Sequence, residues 1–133
     1  MKAKAVVYWI CTALIAFAFV SGGIAYVMRV PQVVEGVSHL GYPIHFVVLL
    51  GIWKILGGLV ILAPRLPRLK EWAYAGMIFD LTGAPVAHSA ANDDVRHIVT
   101  PLVLCVIVLA SWALRPESRK LRAWAEPTEW VAR

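Results

Sequence analysis

Long apolar runs alternate with short polar segments along the chain, and the runs set the expected architecture. The first, over about residues 6–28, carries few polar groups and Arg29 marks its end. The second, about 44–63, is broken by Lys54, and the third, about 72–91, contains Asp80 and His88. The fourth, about 97–114, is uncharged apart from His97. Each run approaches the ~20 residues that an α-helix needs to cross a hydrocarbon core of ~30 Å. The first is too long for the ~7–15-residue apolar region of a signal peptide and reads as a retained span. The pattern predicts an all-α, integral membrane, four-transmembrane-helix antiparallel bundle over residues 1–114, followed by a basic tail over 115–133.

Turn residues fall between the runs. Pro31, Gly36, Gly41 and Pro43 mark a first loop, and Pro64 and Pro67 a tight hairpin. Asn92, Asp93 and Asp94 mark a third loop, in which Asp93 or Asp94 can cap the next helix. Pro116 ends the fourth run. Loops this short make sequential helices antiparallel neighbours.

Composition agrees. Of 133 residues, 60% are hydrophobic and 16% charged, well above the ~45–50% apolar share of soluble domains. A small soluble domain cannot bury that much apolar surface, and disorder is excluded by the same figure. The 13 basic and 8 acidic residues leave a net charge of +5. The basic residues cluster between apolar runs, so nucleic acid is not the expected partner; the lipid bilayer is. Lys2, Lys4, Arg65, Arg68, Lys70 and the tail's Arg115, Arg119, Lys120, Arg122 and Arg133 fall on one side, and only Arg29 and Arg96 on the other. Basic loops stay in the cytoplasm, so both termini are expected there. Tyr8, Trp9, Trp72, Tyr74 and Trp112 fall near the inner interface, Tyr26 and Tyr42 near the outer. Glu117–Trp124 is either a short interfacial helix, with Leu121 and Trp124 in lipid and Arg119, Lys120 and Arg122 on phosphates, or a solvated tail.

Ionisable groups inside a bilayer are costly and mark candidate sites. Lys54 lies ~14 Å from the inner end of the second run, and Asp80 ~12 Å from the inner start of the third. Antiparallel neighbours place them at one level, which predicts a Lys54–Asp80 ion pair. It is either a clamp between helices or a proton-handling or substrate-orienting pair. Gly51, Lys54 and Gly58 share one helical face, and Gly76, Asp80, Ala84 and His88 form an i, i+4 stripe. Such small residues either let helices approach closely or leave room for a slender ligand; the same choice holds for Ser21, Gly22 and Gly23. Pro85 deprives the Leu81 carbonyl of its helical partner and predicts a kink.

His39, His45, His88 and His97 fall near the outer interface. They form no motif such as HExxH, so no metal site is expected, and haem ranks below hydrogen bonding to water or to a ligand head. Cys11 and Cys105 lie inside apolar runs without CxxC spacing and read as small buried residues. Nucleotide-binding glycine loops and hydrolase elbows are absent from the sequence.

The chain resembles the DoxX-like family of small bacterial four-helix membrane proteins. The resemblance rests on Phe19-Val20-Ser21-Gly22-Gly23, Leu40-Gly41-Tyr42-Pro43, Leu50-Gly51-Ile52-Trp53-Lys54-Ile55-Leu56-Gly57 and Leu62-Ala63-Pro64. It continues through Leu69-Lys70-Glu71-Trp72-Ala73-Tyr74-Ala75-Gly76 and Phe79-Asp80-Leu81-Thr82-Gly83-Ala84. Gly51, Trp53, Lys54, Gly57, Glu71, Gly76, Asp80, Gly83 and His88 match residues that recur in the family. The family is similar to the DoxD subunit of thiosulfate:quinone oxidoreductase, which implies a redox or quinone-linked setting and a multi-pass place in the bacterial inner membrane.

The leading expectation is thus a polar intramembrane site in quinone-linked or other redox chemistry. Lys54, Asp80 and His88 are the candidate catalytic residues. Trp53, as a stacking wall, and His45, Gly51 and Gly76 are candidates for lining the ligand pocket. The rival expectations are a non-catalytic scaffold or subunit bound to a membrane or redox partner protein, and an oligomeric carrier of a small apolar molecule.

Overall fold

A computed structural model describes residues 2–121. Five α-helices follow one another: α1 (Lys2–Val27), α2 (Pro31–His39), α3 (Ile44–Leu62), α4 (Pro67–Ala90) and α5 (Val95–Ala113), with a 3-10 turn at Glu117–Arg119. Three of them, α1, α3 and α5, are long and apolar enough to cross a membrane. Helix α4 has 24 residues and is long enough, but it carries Arg68, Lys70, Glu71 and Asp80 and is less apolar. Large apolar side chains point outward on these helices, Phe17 and Phe79 each being 75% exposed. Faces of this kind are suited to lipid rather than water.

Helix α2 departs from the expected loop. Its breakers sit where a helix tolerates them: Pro31 occupies the first helical turn, where its missing N–H costs nothing, and Gly36 has open space beside it. Only Val37 of α2 is buried. Asp94, not Asp93, caps α5, accepting from the Arg96 N–H at 3.0 Å.

Helix α1 packs on α3 and α5, and α4 packs on the same two helices. The core between them is built from Ile15, Phe19, Ile61, Tyr74, Met77, Leu81, Cys105 and Val108. Cys105 is buried and Cys11 partly so, and neither forms a disulfide. Inside the core, Ser111 bonds both the Thr12 hydroxyl and the Tyr74 hydroxyl at 2.7 Å, which satisfies three buried polar groups among α1, α4 and α5. The closest packing joins α1 to α3. A Cβ on Gly23 would stand 2.7 Å from the Gly51 carbonyl oxygen, and one on Gly51 would stand 2.7 Å from the Tyr26 Cβ. One on Gly58 would stand 2.7 Å from Val20. Glycine is what lets these two backbones meet.

The α3–α4 turn is tight and strained. Arg65 and Leu66 both have positive φ, at 63° and 56°, a conformation that costs side-chain-bearing residues free energy. Lys70 holds it. Its side chain is fully buried, and its ammonium donates to the carbonyls of Val60 (2.9 Å), Ala63 and Arg65 (2.7 Å). The first two are carbonyls that the end of α3 leaves without helical partners, and the third belongs to the turn itself.

Arg119 donates to the Ile61 and Leu62 carbonyls at 3.1 and 3.3 Å, and its guanidinium lies 4.6 Å from the Trp9 ring centroid. Within the segment expected as an interfacial helix or a solvated tail, Glu117–Arg119 forms a 3-10 turn and Lys120 is extended. Arg122 and Trp124 lie outside the described residues.

Candidate functional site

Lys54 Nζ donates to Asp80 Oδ2 at 2.5 Å, joining α3 to α4, and the two side chains are only 15% and 18% exposed. Depth matching alone had placed these residues level. The lysine also touches α1: its ammonium lies 4.6 Å from the Phe19 ring centroid and 5.5 Å from that of Tyr26. Aromatic faces attract a cation, so Lys54 is held by three charge-complementary surfaces while its stem stays in apolar surroundings.

Below the pair, α3 and α4 part to leave a chamber of about 470 Å³, lined by apolar side chains, among them Phe19, Leu56, Val60, Leu69, Trp72 and Met77. Above it a second chamber of about 420 Å³ is lined by Tyr26, Tyr42, Phe46, Phe79 and His88. Leu50, Trp53, Gly76 and Asp80 line both chambers. The two form one groove along α3 and α4, with the ion pair at its neck and Trp53, 56% exposed, at its rim. Its volume is that of a ligand site. Space exists because α4 presents small residues there: a Cβ on Gly76 or Gly83 meets nothing within 4 Å.

The candidate residues therefore separate. Lys54 and Asp80 meet; Trp53 and Gly76 line the groove; His88 lines its upper chamber. Gly51 faces α1, where Tyr26 and Gly23 fill the space against it, and it is not among the groove-lining residues. His45 is exposed and stands outside both chambers. Pro85 is buried within a continuous α4.

His88 is not bonded to the ion pair. Its Nδ1–H donates to Asp93 Oδ2 at 2.7 Å, and the His39 Nε2–H donates to Asp93 Oδ1 at 2.7 Å. A carboxylate only accepts, so this contact fixes the hydrogen of neutral His88 on Nδ1 and leaves its Nε2 as an acceptor. His97 stacks on His88 with ring centroids 5.0 Å apart. The two donated bonds, from His88 above all and then His39, hold the Asp93 carboxyl below its ordinary range. Among the described residues, no group of three or more His, Cys, Asp or Glu side chains could hold a metal ion.

Sequence reasoning passed over Asp93 and Lys70. Asp93 looked like a helix cap; it bonds two histidines, His39 and His88, of which only His88 is near it in sequence. Lys70 looked like a loop charge, and nothing in its sequence neighbourhood separates it from Arg68.

A family model described as the DoxX-like family matches residues 10–111. No curated protein and no solved structure matches the chain.

Proposed function

The chain belongs to the DoxX-like family, and from that premise we propose that it is an inner-membrane protein whose α3–α4 groove serves quinone-linked or related redox chemistry. In this reading α4 is a fourth span, antiparallel to its neighbours, and the basic residues place both termini in the cytoplasm. The observation that carries the reading is the Lys54–Asp80 pair, with Lys54 in the wall of the lower chamber and Asp80 in the wall of both, in a groove lined mostly by apolar side chains. A pair serving only as a clamp gains nothing from standing at the neck of such a space.

The roles follow from the surroundings. The Lys54 ammonium holds and orients the Asp80 carboxylate across the α3–α4 contact, and Asp80 is the group that accepts or relays a proton. The Nε2 of His88 faces the upper chamber as an acceptor, while its Nδ1–H and the Nε2–H of His39 both donate to Asp93, which fixes the orientation of the His88 ring at the chamber wall. Trp53 and the aromatic residues of the upper chamber fit a quinone, which would supply electron transfer coupled to proton exchange.

The test is direct. Protein purified in mild detergent is extracted with organic solvent and the extract examined by mass spectrometry and ultraviolet absorbance. A quinone recovered near one per chain from the natural protein, and lost from Trp53→Ala with Gly76→Leu, supports the reading; an extract with phospholipid alone sinks it.

The clamp reading also has an observation in its favour. Lys54 reaches three helices at once, bonding to α4 and lying against two aromatic rings of α1. A Lys54→Met/Asp80→Asn double variant that is stable and still retains the quinone supports the clamp.

A further inference from the structure

The two chambers differ in chemistry, and the difference has a direction. The lower chamber offers apolar walls, aliphatic with Phe19, Trp53 and Trp72 among them, and among the described residues its charged groups are the pair at its neck. The upper chamber adds hydrogen-bonding groups at Tyr26, Tyr42 and His88 and further aromatic walls. Tyr42 and Phe46 there lie stacked, centroids 4.8 Å apart and planes 22° apart. From α4, Gly83, Ala84 and Ala87 add small side chains to the same lining and leave room beside these rings. Aromatic faces pair best with another ring set in parallel or at an offset.

We propose that the groove binds a ring-and-chain amphiphile in one orientation, with a planar polar ring in the upper chamber and an alkyl or isoprenoid chain in the lower. This rests on the reading that the groove is a ligand site and deepens it by naming the ligand's shape and its direction in the membrane. The ring meets Asp80 and Lys54 from above, with His88 at its far edge. The chain leaves the ring at the neck beside Gly76 and runs between Leu69 and Val60 toward the end of α3. The reverse orientation strands the ring's polar atoms among apolar side chains, which costs their hydrogen bonds.

Two glycines allow each chamber to be filled separately without disturbing the fold. A Cβ on Gly83, in the upper chamber, meets nothing within 4 Å, and one on Gly57, in the lower, meets only the flexible end of Met77 at 3.5 Å. The experiment measures binding to the purified full chain by equilibrium dialysis, with empty detergent micelles as baseline. The probes are decylubiquinone, which has ring and chain, and the same ring without its chain. Natural protein is expected to bind the chain-bearing probe at least ~tenfold more tightly than the bare ring. Gly83→Leu is expected to weaken both probes by ~tenfold or more. Gly57→Leu is expected to bring the chain-bearing probe down to the bare ring and leave the bare ring unchanged. Ala87→Leu serves as a second upper-chamber block, and circular dichroism confirms that each variant keeps its helices. If the effects of Gly83→Leu and Gly57→Leu are exchanged, or neither has an effect, while natural protein binds, the direction is wrong and the groove's role in binding stands or moves elsewhere accordingly. If natural protein binds neither probe above the micelle baseline, the proposed function fails together with this inference.

Discussion

Helix α3 has two working faces, and they treat glycine in opposite ways. Toward α1, Gly51 and Gly58 let the backbones close until a methyl group would collide: 2.7 Å from the Tyr26 Cβ in one case and 2.7 Å from Val20 in the other. Toward α4, Gly57 meets only Met77 at 3.5 Å, and Gly76 and Gly83 across the gap meet nothing within 4 Å. Gly57 and Gly58 are consecutive in sequence, yet one borders a chamber and the other seals a seam. Small residues at helical spacing therefore do not themselves mean close packing. What decides is whether a neighbouring backbone lies against them, and that depends on which helix the face meets. The sealed face gives α3 a fixed support; on the open face α3 meets α4 through Ile61 in the core, the Lys54–Asp80 ion pair and the bond from Lys70 to the Val60 carbonyl.

The largest expected effect breaks the open side at that point. Lys54→Met leaves Asp80 without its cation, and Asp80→Asn leaves Lys54 without its anion; each is expected to cost ~3–5 kcal/mol, as for a buried pair that loses one partner. The double variant removes both charges and is expected to recover much of the loss, a coupling that denaturation in detergent can measure through a double-mutant cycle. Strictly additive single effects would show that the pair contributes no contact energy.

The sealed side is the next test. Gly51→Ala and Gly23→Ala force a methyl group against backbone and are expected to destabilise by ~1–3 kcal/mol, the usual cost of overpacking. Gly76→Ala and Gly83→Ala enter open space and are expected to be neutral or to stabilise by up to ~0.5–1 kcal/mol, since alanine restricts the unfolded chain and suits a helix. Thermal unfolding of the four variants reads the contrast; equal losses at all four would erase the distinction between the faces.

This contrast also marks what the sequence could disclose. The apolar runs placed the long helices, because their length and hydropathy are properties of local chain. The level of Lys54 and Asp80 followed from residue counting along two antiparallel helices. Gly51 and Gly76 could not be told apart, since both sit three or four residues from a charge of the pair. Nor could α2 be seen: nine residues with a proline and a glycine carry too little periodicity to outweigh two breakers. Asp93 and Lys70 act through partners distant in space or across a turn, which no local pattern records.

Lys70 gives the third prediction, smaller and confined to the inner end of the open side. Lys70→Met removes the donor to three carbonyls at the end of α3 and in the turn after it, and leaves the strained Arg65–Leu66 turn without its tether. Leaving such buried acceptors unpaired costs ~1–3 kcal/mol. Amide hydrogen exchange is expected to quicken at the α3–α4 turn and along the lower chamber while the α1–α3 seam keeps its protection. Loss of protection at the seam as well would mean that the two faces of α3 do not behave separately.

The smallest effect lies at the outer end, where Asp93 ties His39 of α2 and His88 of α4. Its carboxyl is held below the ordinary value of 3.8, first by the hydrogen bond from His88 and next by that from His39. A folded-state value below the unfolded one means that folding favours the charged carboxylate. The stabilisation is complete above the ordinary carboxylate range, fades as the pH falls through that range, and is gone below the folded-state value. The difference in thermal stability between natural protein and Asp93→Asn is therefore expected to shrink as the buffer is taken from about pH 5 down through the ordinary carboxylate range. Because α2 buries only Val37, the same acidification should speed hydrogen exchange in α2 first, before α3 responds. A stability difference that grows toward acid pH would reverse the sign and show that the neutral carboxyl, not the carboxylate, holds the outer end of the groove.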